Sequence, residues 1–121
     1  MIYKIYIPKT YTPTKEHIEK FGKKKRWNDD CKEFYYTSLY DTNLESIIKE
    51  ISRLSDGFTV YDAIGYWKDI TEPVWVFEIV RDGNDSYDGF KHGLEATLLY
   101  LKSALNQLSM FYTVNNEGRY L

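Results

Sequence analysis

The sequence predicts an α+β fold of ferredoxin-like form, a βαββαβ antiparallel sheet with two helices on one face, plus an extra N-terminal strand and a short helix. Three observations carry that expectation. Residues 57–81, GFTVYDAIGYWKDITEPVWVFEIVR, read as two strands joined by a tight connection and hold two of the three tryptophans. A stretch of 3.6-residue periodicity lies on each side of this hairpin. Turn residues punctuate the chain, with no linker, repeat or low-complexity segment among them.

Residues 2–7 alternate, with Ile2, Lys4 and Tyr6 on one side and Tyr3, Ile5 and Ile7 on the other, and Pro8 ends the strand. Residues 10–13 read as a turn. Thr14 is placed to cap a short helix through His17, Ile18 and Phe21 that weakens at Gly22. Lys23, Lys24, Lys25 and Arg26 then run into Trp27 and the acidic pair Asp29 and Asp30, the sharpest change of composition in the chain. Residues 14–32 are therefore expected to be a basic excursion from the core of a single domain, residues 1–121.

Residues 33–40, EFYYTSLY, favour a strand, although Phe34 and Ser38 also share helical spacing with Tyr35 and Leu39. Thr42 and Glu45 have the capping-box form. The helix they open places Leu44, Ile47, Ile48, Ile51 and Leu54 on one face and Lys49, Glu50 and Arg53 on the other. Gly57, after Asp56, is expected to end it in the left-handed region.

Residues 58–67 form the next strand and residues 68–73 its turn. VWVFEIV, residues 74–80, is almost continuously apolar, as a central strand covered on both sides would be. Asp82, Gly83, Asn84 and Asp85 read as a turn and helix cap, because the bidentate acid of a calcium loop is missing. A second long helix is expected from near Ser86, with Phe90, Leu94, Leu98, Leu101, Leu105 and Leu108 on its apolar face. Leu108 overlaps a last strand to Val114, and residues 115–118 turn the chain into a short return.

Counted from Glu33, the order is βαββαβ, which leaves residues 2–7 as the added strand. A rival assignment makes residues 2–7 the first strand and the following thirty or so residues an insertion. Both leave one sheet face open, and analogy with folds of this kind gives a homodimer as the expectation.

The chain of 121 residues suits one core. No apolar run approaches the ~20 residues of a membrane helix. The opening MIYKIYIPK lacks the apolar core and cleavage site of a signal peptide, and the lone Cys31 has no intrachain partner. A cytoplasmic protein is expected. A net charge of −2 argues against nucleic-acid binding through overall charge but leaves room for a local basic patch. The 12 tyrosines, 6 phenylalanines and 3 tryptophans suit both a sheet-rich core and a contact surface.

From Gly57 onward, the residues Gly57, Phe58 and Thr59, then Gly65, Tyr66 and Trp67, then Glu72 and the VWVFEIV strand follow a recognisable pattern. It closes with Asn106 and Gln107 before a hairpin ending in Gly118, Arg119 and Tyr120. About half the chain thus resembles a family of small phage and bacterial proteins that has no assigned activity. The resemblance implies an accessory gene of phage or mobile-element type and implies no chemistry. The basic segment, residues 23–26, has no counterpart in it.

Catalytic constellations are hard to find. G-x-S-x-G is absent, and a Ser–His–acid set would need His17 or His92, neither spaced from a partner; a solvated histidine is the plainer reading of His92. Cys31, beside Asp29 and Asp30, lacks the cationic setting of a reactive thiol. Neither zinc spacings nor glycine-rich phosphate loops occur, so no metal and no cofactor are expected.

Glu78 stands mid-strand among apolar neighbours, where an unpaired carboxylate is costly to bury. Either it lies on the open face paired with a Lys, Arg or Tyr across the sheet, or it anchors a ligand or partner beside Tyr66, Trp67 and Arg119. Asn106 and Gln107 read as helix-end groups closing backbone bonds or as ligand contacts. Lys23, Lys24, Lys25, Arg26 and Trp27 form either a solvated loop or a grip on a phosphate backbone with a ring to stack a base. VWVFEIVR lacks the basic-Gly-aromatic pattern of an RNA-recognition motif.

These readings add up to a small non-enzymatic binding protein of phage or mobile-element origin. It would occupy a host protein or sequester a small ligand, counteracting host defence. One alternative is a small enzyme of dimeric α/β-barrel type with a pocket around Trp67, Glu78 and His92. The other is nucleic-acid binding through residues 23–27.

Overall fold

The computed structural model describes residues 1–82 and 88–121. The turn expected at Gly83, Asn84 and Asp85 and the helix start at Ser86 lie outside the described residues.

Strand β1, Ile2–Pro8, is the middle of a five-stranded sheet. Its alternation puts Tyr3, Ile5 and Ile7 in the core, and its two edges pair antiparallel with β7, Ile70–Val80, and β8, Phe111–Val114. With β6, Thr59–Trp67, and β9, Glu117–Tyr120, the order across the sheet is β6-β7-β1-β8-β9. The protein is thus a mixed α and β structure with a mostly antiparallel sheet and three described helices.

This corrects the count from Glu33. The N-terminal strand is no addition; it is central. Glu33–Thr37, here β4, instead pairs with β3, Lys24–Asn28, in a separate two-stranded sheet. Composition is compatible with the exchange. Ile5 and Ile7 carry branched apolar chains on one face and are fully buried, whereas EFYYT spreads rings over both faces. A third small sheet joins β2, Thr10–Tyr11, to β5, Tyr40–Asp41.

Helix α2, Leu44–Ser52, and helix α3, Asp88–Ala104, cover one face of the main sheet. Ile47, Ile51, Leu94, Leu98, Leu101 and Leu105 meet Ile5, Ile7, Phe77 and Ile79 there. Burying each such side chain contributes about 1.5–3 kcal/mol. Gly93 lets the helices close: a Cβ there would lie 3.3 Å from Leu54 Cδ2, tighter than most such contacts. Asn43, not Thr42, caps α2, its side chain accepting the Ser46 N–H at 3.1 Å while Thr42 turns inward and is buried. The helix ends at Arg53 in right-handed geometry, so Gly57 does not stop it.

Helix α1, Lys15–Phe21, lies outside the core, capped by Thr14 and closed by Gly22 at φ 73°. The Tyr40 hydroxyl reaches the carbonyls of His17 and Gly22, at 3.0 and 2.9 Å, and ties α1 to the body.

The β6–β7 hairpin runs past the end of β1. Its pairing extends from Thr59↔Glu78 to Trp67↔Ile70, but β1 meets only residues 74–80 of β7. The turn is therefore two residues, Lys68 and Asp69, both at positive φ as a tight hairpin loop requires, and not the six expected. The protruding arm, residues 64–73, positions the site described next.

Candidate functional site

Side chains on a strand alternate between faces, so Glu72 shares the helix-free face of β7 with Val74, Val76 and Glu78. It lies one step beyond the end of β1, where Pro8 pairs with Val74. The end of α3 approaches from one side and β2 from the other. Between them lies a cleft of about 650 Å³ whose walls include Tyr11, Glu72, Asn106, Gln107, Ser109 and Tyr120. A smaller hollow of about 170 Å³, lined by Tyr6, Gly65, Val74 and Phe111, shares Glu72, Gln107 and Ser109 with it. Glu72 is the hinge of the two.

The charge of this site is simple. Of all the residues lining the two cavities, Glu72 alone carries an ionisable acid or base of the Asp, Glu, Lys, Arg or His kind. Glu72 is an exposed residue, and the partial burial of its carboxyl pushes it above the usual carboxylate value. Tyr11 is shifted upward as well, first by burial and then by Tyr40, so its hydroxyl stays a donor well into the alkaline range. Three rings form a wall beside Glu72: Tyr6 lies 5.0 Å from Phe111, and Phe111 5.0 Å from Tyr120, between ring centroids. A carboxylate, an aromatic wall, three hydroxyl-bearing rings and two amides suit a flat, cationic small molecule.

Asn106 and Gln107 close α3 as a Schellman turn. Asn106 sits at φ 49°, its N–H bonds the Ser103 carbonyl at 3.1 Å, and the Gln107 N–H bonds the Lys102 carbonyl at 2.8 Å. The Asn106 side chain donates to the Thr12 carbonyl at 2.8 Å and that of Gln107 to the Leu105 carbonyl at 2.9 Å. Both residues therefore do what a helix end needs and also line the cleft. Leu108, expected on the apolar helix face, follows directly and is instead 98% exposed at the mouth, and Ser109 comes next.

The other residues singled out by sequence are scattered. Glu78 faces Lys4 across β1 and β7, at 3.8 Å. Tyr66 stands on the arm with 76% of its surface exposed, on the sheet side opposite to Glu72. Trp67 closes the arm by pairing with Ile70, and its side chain lies outside the described parts. Arg119 is on β9, the far edge of the sheet, four strand spacings or roughly 19 Å from β6, and pairs with Glu117. The structure does not gather Tyr66, Trp67, Glu78 and Arg119 into one place. His92 is exposed on α3, while the His17 ring contacts the Thr14 hydroxyl within α1. Cys31 is exposed, and among the described residues no three His, Cys, Asp or Glu side chains converge on a metal position. Lys23, Lys24, Lys25, Arg26 and Trp27 lie on or beside β3, away from the cleft. Sequence reasoning missed Tyr11, Gly65, Ser109 and Tyr120. Glu72, an acid just before Pro73 at the start of the return strand, was the one available signal.

No family model matches the chain, and no curated protein sequence matches it. Among solved structures, the fold is similar to that of a phage SAM lyase in its apo state, at 11% identity and a TM-score of 0.52. That likeness takes in 99% of this chain and 86% of the lyase, so it spans the sheet, both covering helices and the outlying elements together.

Proposed function

We propose that this is a small-molecule-binding protein of phage or mobile-element type, and that the cleft around Glu72 takes a compact cationic ligand carrying a flat ring. The carrying observation is the isolation of Glu72: a partly desolvated carboxylate is the one charged side chain on the walls of two adjoining cavities. A bound cation would restore to the carboxylate the favourable field that burial removes. The strand order and pairing are read as the split βαβ arrangement of ferredoxin-like folds, and the resemblance to a phage SAM lyase supplies the first ligand to try. S-adenosylmethionine offers a sulfonium cation for Glu72 and an adenine ring for the wall of Tyr6, Phe111 and Tyr120.

Binding alone, as sequestration, fits a role against host defence. A second reading, turnover, is favoured by the lyase activity of the structural neighbour. Sheet residues Tyr61 and Val80 on the helix-free side are exposed and suit a homodimer. Titration calorimetry with S-adenosylmethionine tests the binding proposal. Saturable binding that is lost in Glu72→Gln supports it, and heat-free titration of the folded protein contradicts it. Mass spectrometry of the mixture after incubation separates sequestration, which returns the ligand intact, from cleavage.

A further inference from the structure

The ribbon of β3 and β4 serves neither the core nor the Glu72 cleft. Directly opposed residues of an antiparallel pair share a face, so Lys25 and Tyr36 lie on one side with Trp27 and Phe34. Lys24, Arg26 and Tyr35 lie on the other. On that second side the Arg26 guanidinium meets Asp41 at 2.6 Å and the Lys24 ammonium lies 4.8 Å from the centre of the Tyr40 ring, while Tyr35 is 46% exposed. The first side is turned to water, with Trp27, Phe34 and Tyr36 exposed to 47%, 59% and 70%.

These rings are held in place. Trp27 Nε1 donates to Asp29 at 2.7 Å, and its ring meets Phe34 edge-on at 4.9 Å. Lys25 Nζ sits 4.6 Å from the Phe34 centroid. Residues on one face recur every two positions, roughly 7 Å apart along each strand, so one cation and three rings share a small patch. Residues 20–32 carry six basic and two acidic side chains in a chain whose net charge is −2, so positive charge is concentrated here. Lys23 and Lys25 are exposed beside the rings, while the acids Asp29 and Asp30 stand at the turn end of the ribbon, joined there by Glu33.

We propose that the Lys25–Trp27–Phe34–Tyr36 face of this ribbon binds single-stranded nucleic acid, the rings stacking on bases and Lys23 and Lys25 meeting phosphates. Stacking on aromatic side chains tolerates any base, and unpaired bases offer the ring faces that a duplex hides. The exposed Lys23 and Lys25 fit a polyanion and would be a desolvation cost against an apolar protein surface.

The test uses the full chain and labelled oligo-dT and oligo-rU of roughly a dozen nucleotides, followed by fluorescence anisotropy. Binding is expected with a log–log salt slope near −1.4, as two phosphate contacts give on a single strand. Trp27→Ala and Phe34→Ala each weaken it about tenfold or more. Lys23→Glu with Lys25→Glu flattens the slope, while Glu72→Gln leaves oligonucleotide binding unchanged. Circular dichroism confirms that each variant is folded. No anisotropy change with either oligonucleotide at low salt overturns the proposal. So does binding indifferent to the ring and lysine variants, or self-association abolished by Trp27→Ala in a protein that holds no oligonucleotide.

Discussion

Gly65 and Glu72 stand directly opposite each other on the β6–β7 arm, and both line the smaller hollow beside the cleft. A Cβ at position 65 would meet the Glu72 carbonyl oxygen at 3.7 Å, an ordinary contact, so the missing side chain leaves room for something other than the fold. Gly65→Val is expected to keep or slightly raise the melting temperature, because a β-branched residue suits a strand. Its added methyls fill the hollow, so affinity for S-adenosylmethionine should drop about tenfold or more by calorimetry.

Glu72 also sets a pH dependence. Its folded pKa lies above the unfolded value, so the folded state holds the proton more tightly. Stability is then highest below the unfolded pKa and falls as pH rises through the folded pKa. Thermal melts should show Glu72→Gln more stable than the parent above that window and equal to it below. Ligand binding runs the other way. A cation needs the ionised carboxylate, so affinity in the parent should rise through the same window.

Two leucines three residues apart separate what the period suggested from what packing decided. Leu105 is buried among the core residues, whereas Leu108 lies past the end of α3 in water. Leu105→Ala should cost about 2–5 kcal/mol in a denaturant melt. Leu108→Ser should stay within about 0.5 kcal/mol.

Asn106 combines a left-handed backbone with a bond to the Thr12 carbonyl. Asn106→Gly keeps the backbone and loses the bond, at a cost of about 1 kcal/mol. Asn106→Val loses both and should cost about 1–2 kcal/mol more. Chemical denaturation of the two variants measures the difference.

Much of the fold was legible because hydrophobic period and strand alternation are local. Ile47 and Ile51, Leu94 to Leu105, and Ile5 with Ile7 all reach the core as their spacing implied. What failed depended on partners far away in sequence. EFYYT has the makings of a core strand, but only pairing decides that residues 2–8 take the centre and that Glu33–Thr37 meets Lys24–Asn28. Asn43 displaced Thr42 as the cap by one residue, and Thr42 is buried instead. The site was less legible still. Glu78 drew notice for standing among apolar residues and proved to face Lys4. Glu72 gains its setting only when Gln107 and Ser109, more than thirty residues on, fold against it.

The most direct test is an NMR titration of the 15N-labelled chain with S-adenosylmethionine, reading amide shifts residue by residue. The account predicts saturable shifts clustered at Tyr11, Gly65, Glu72, Gln107, Ser109 and Tyr120, with the Glu72→Gln spectrum unmoved by the same ligand. Shifts absent from that cluster, or centred on another part of the surface, would contradict it.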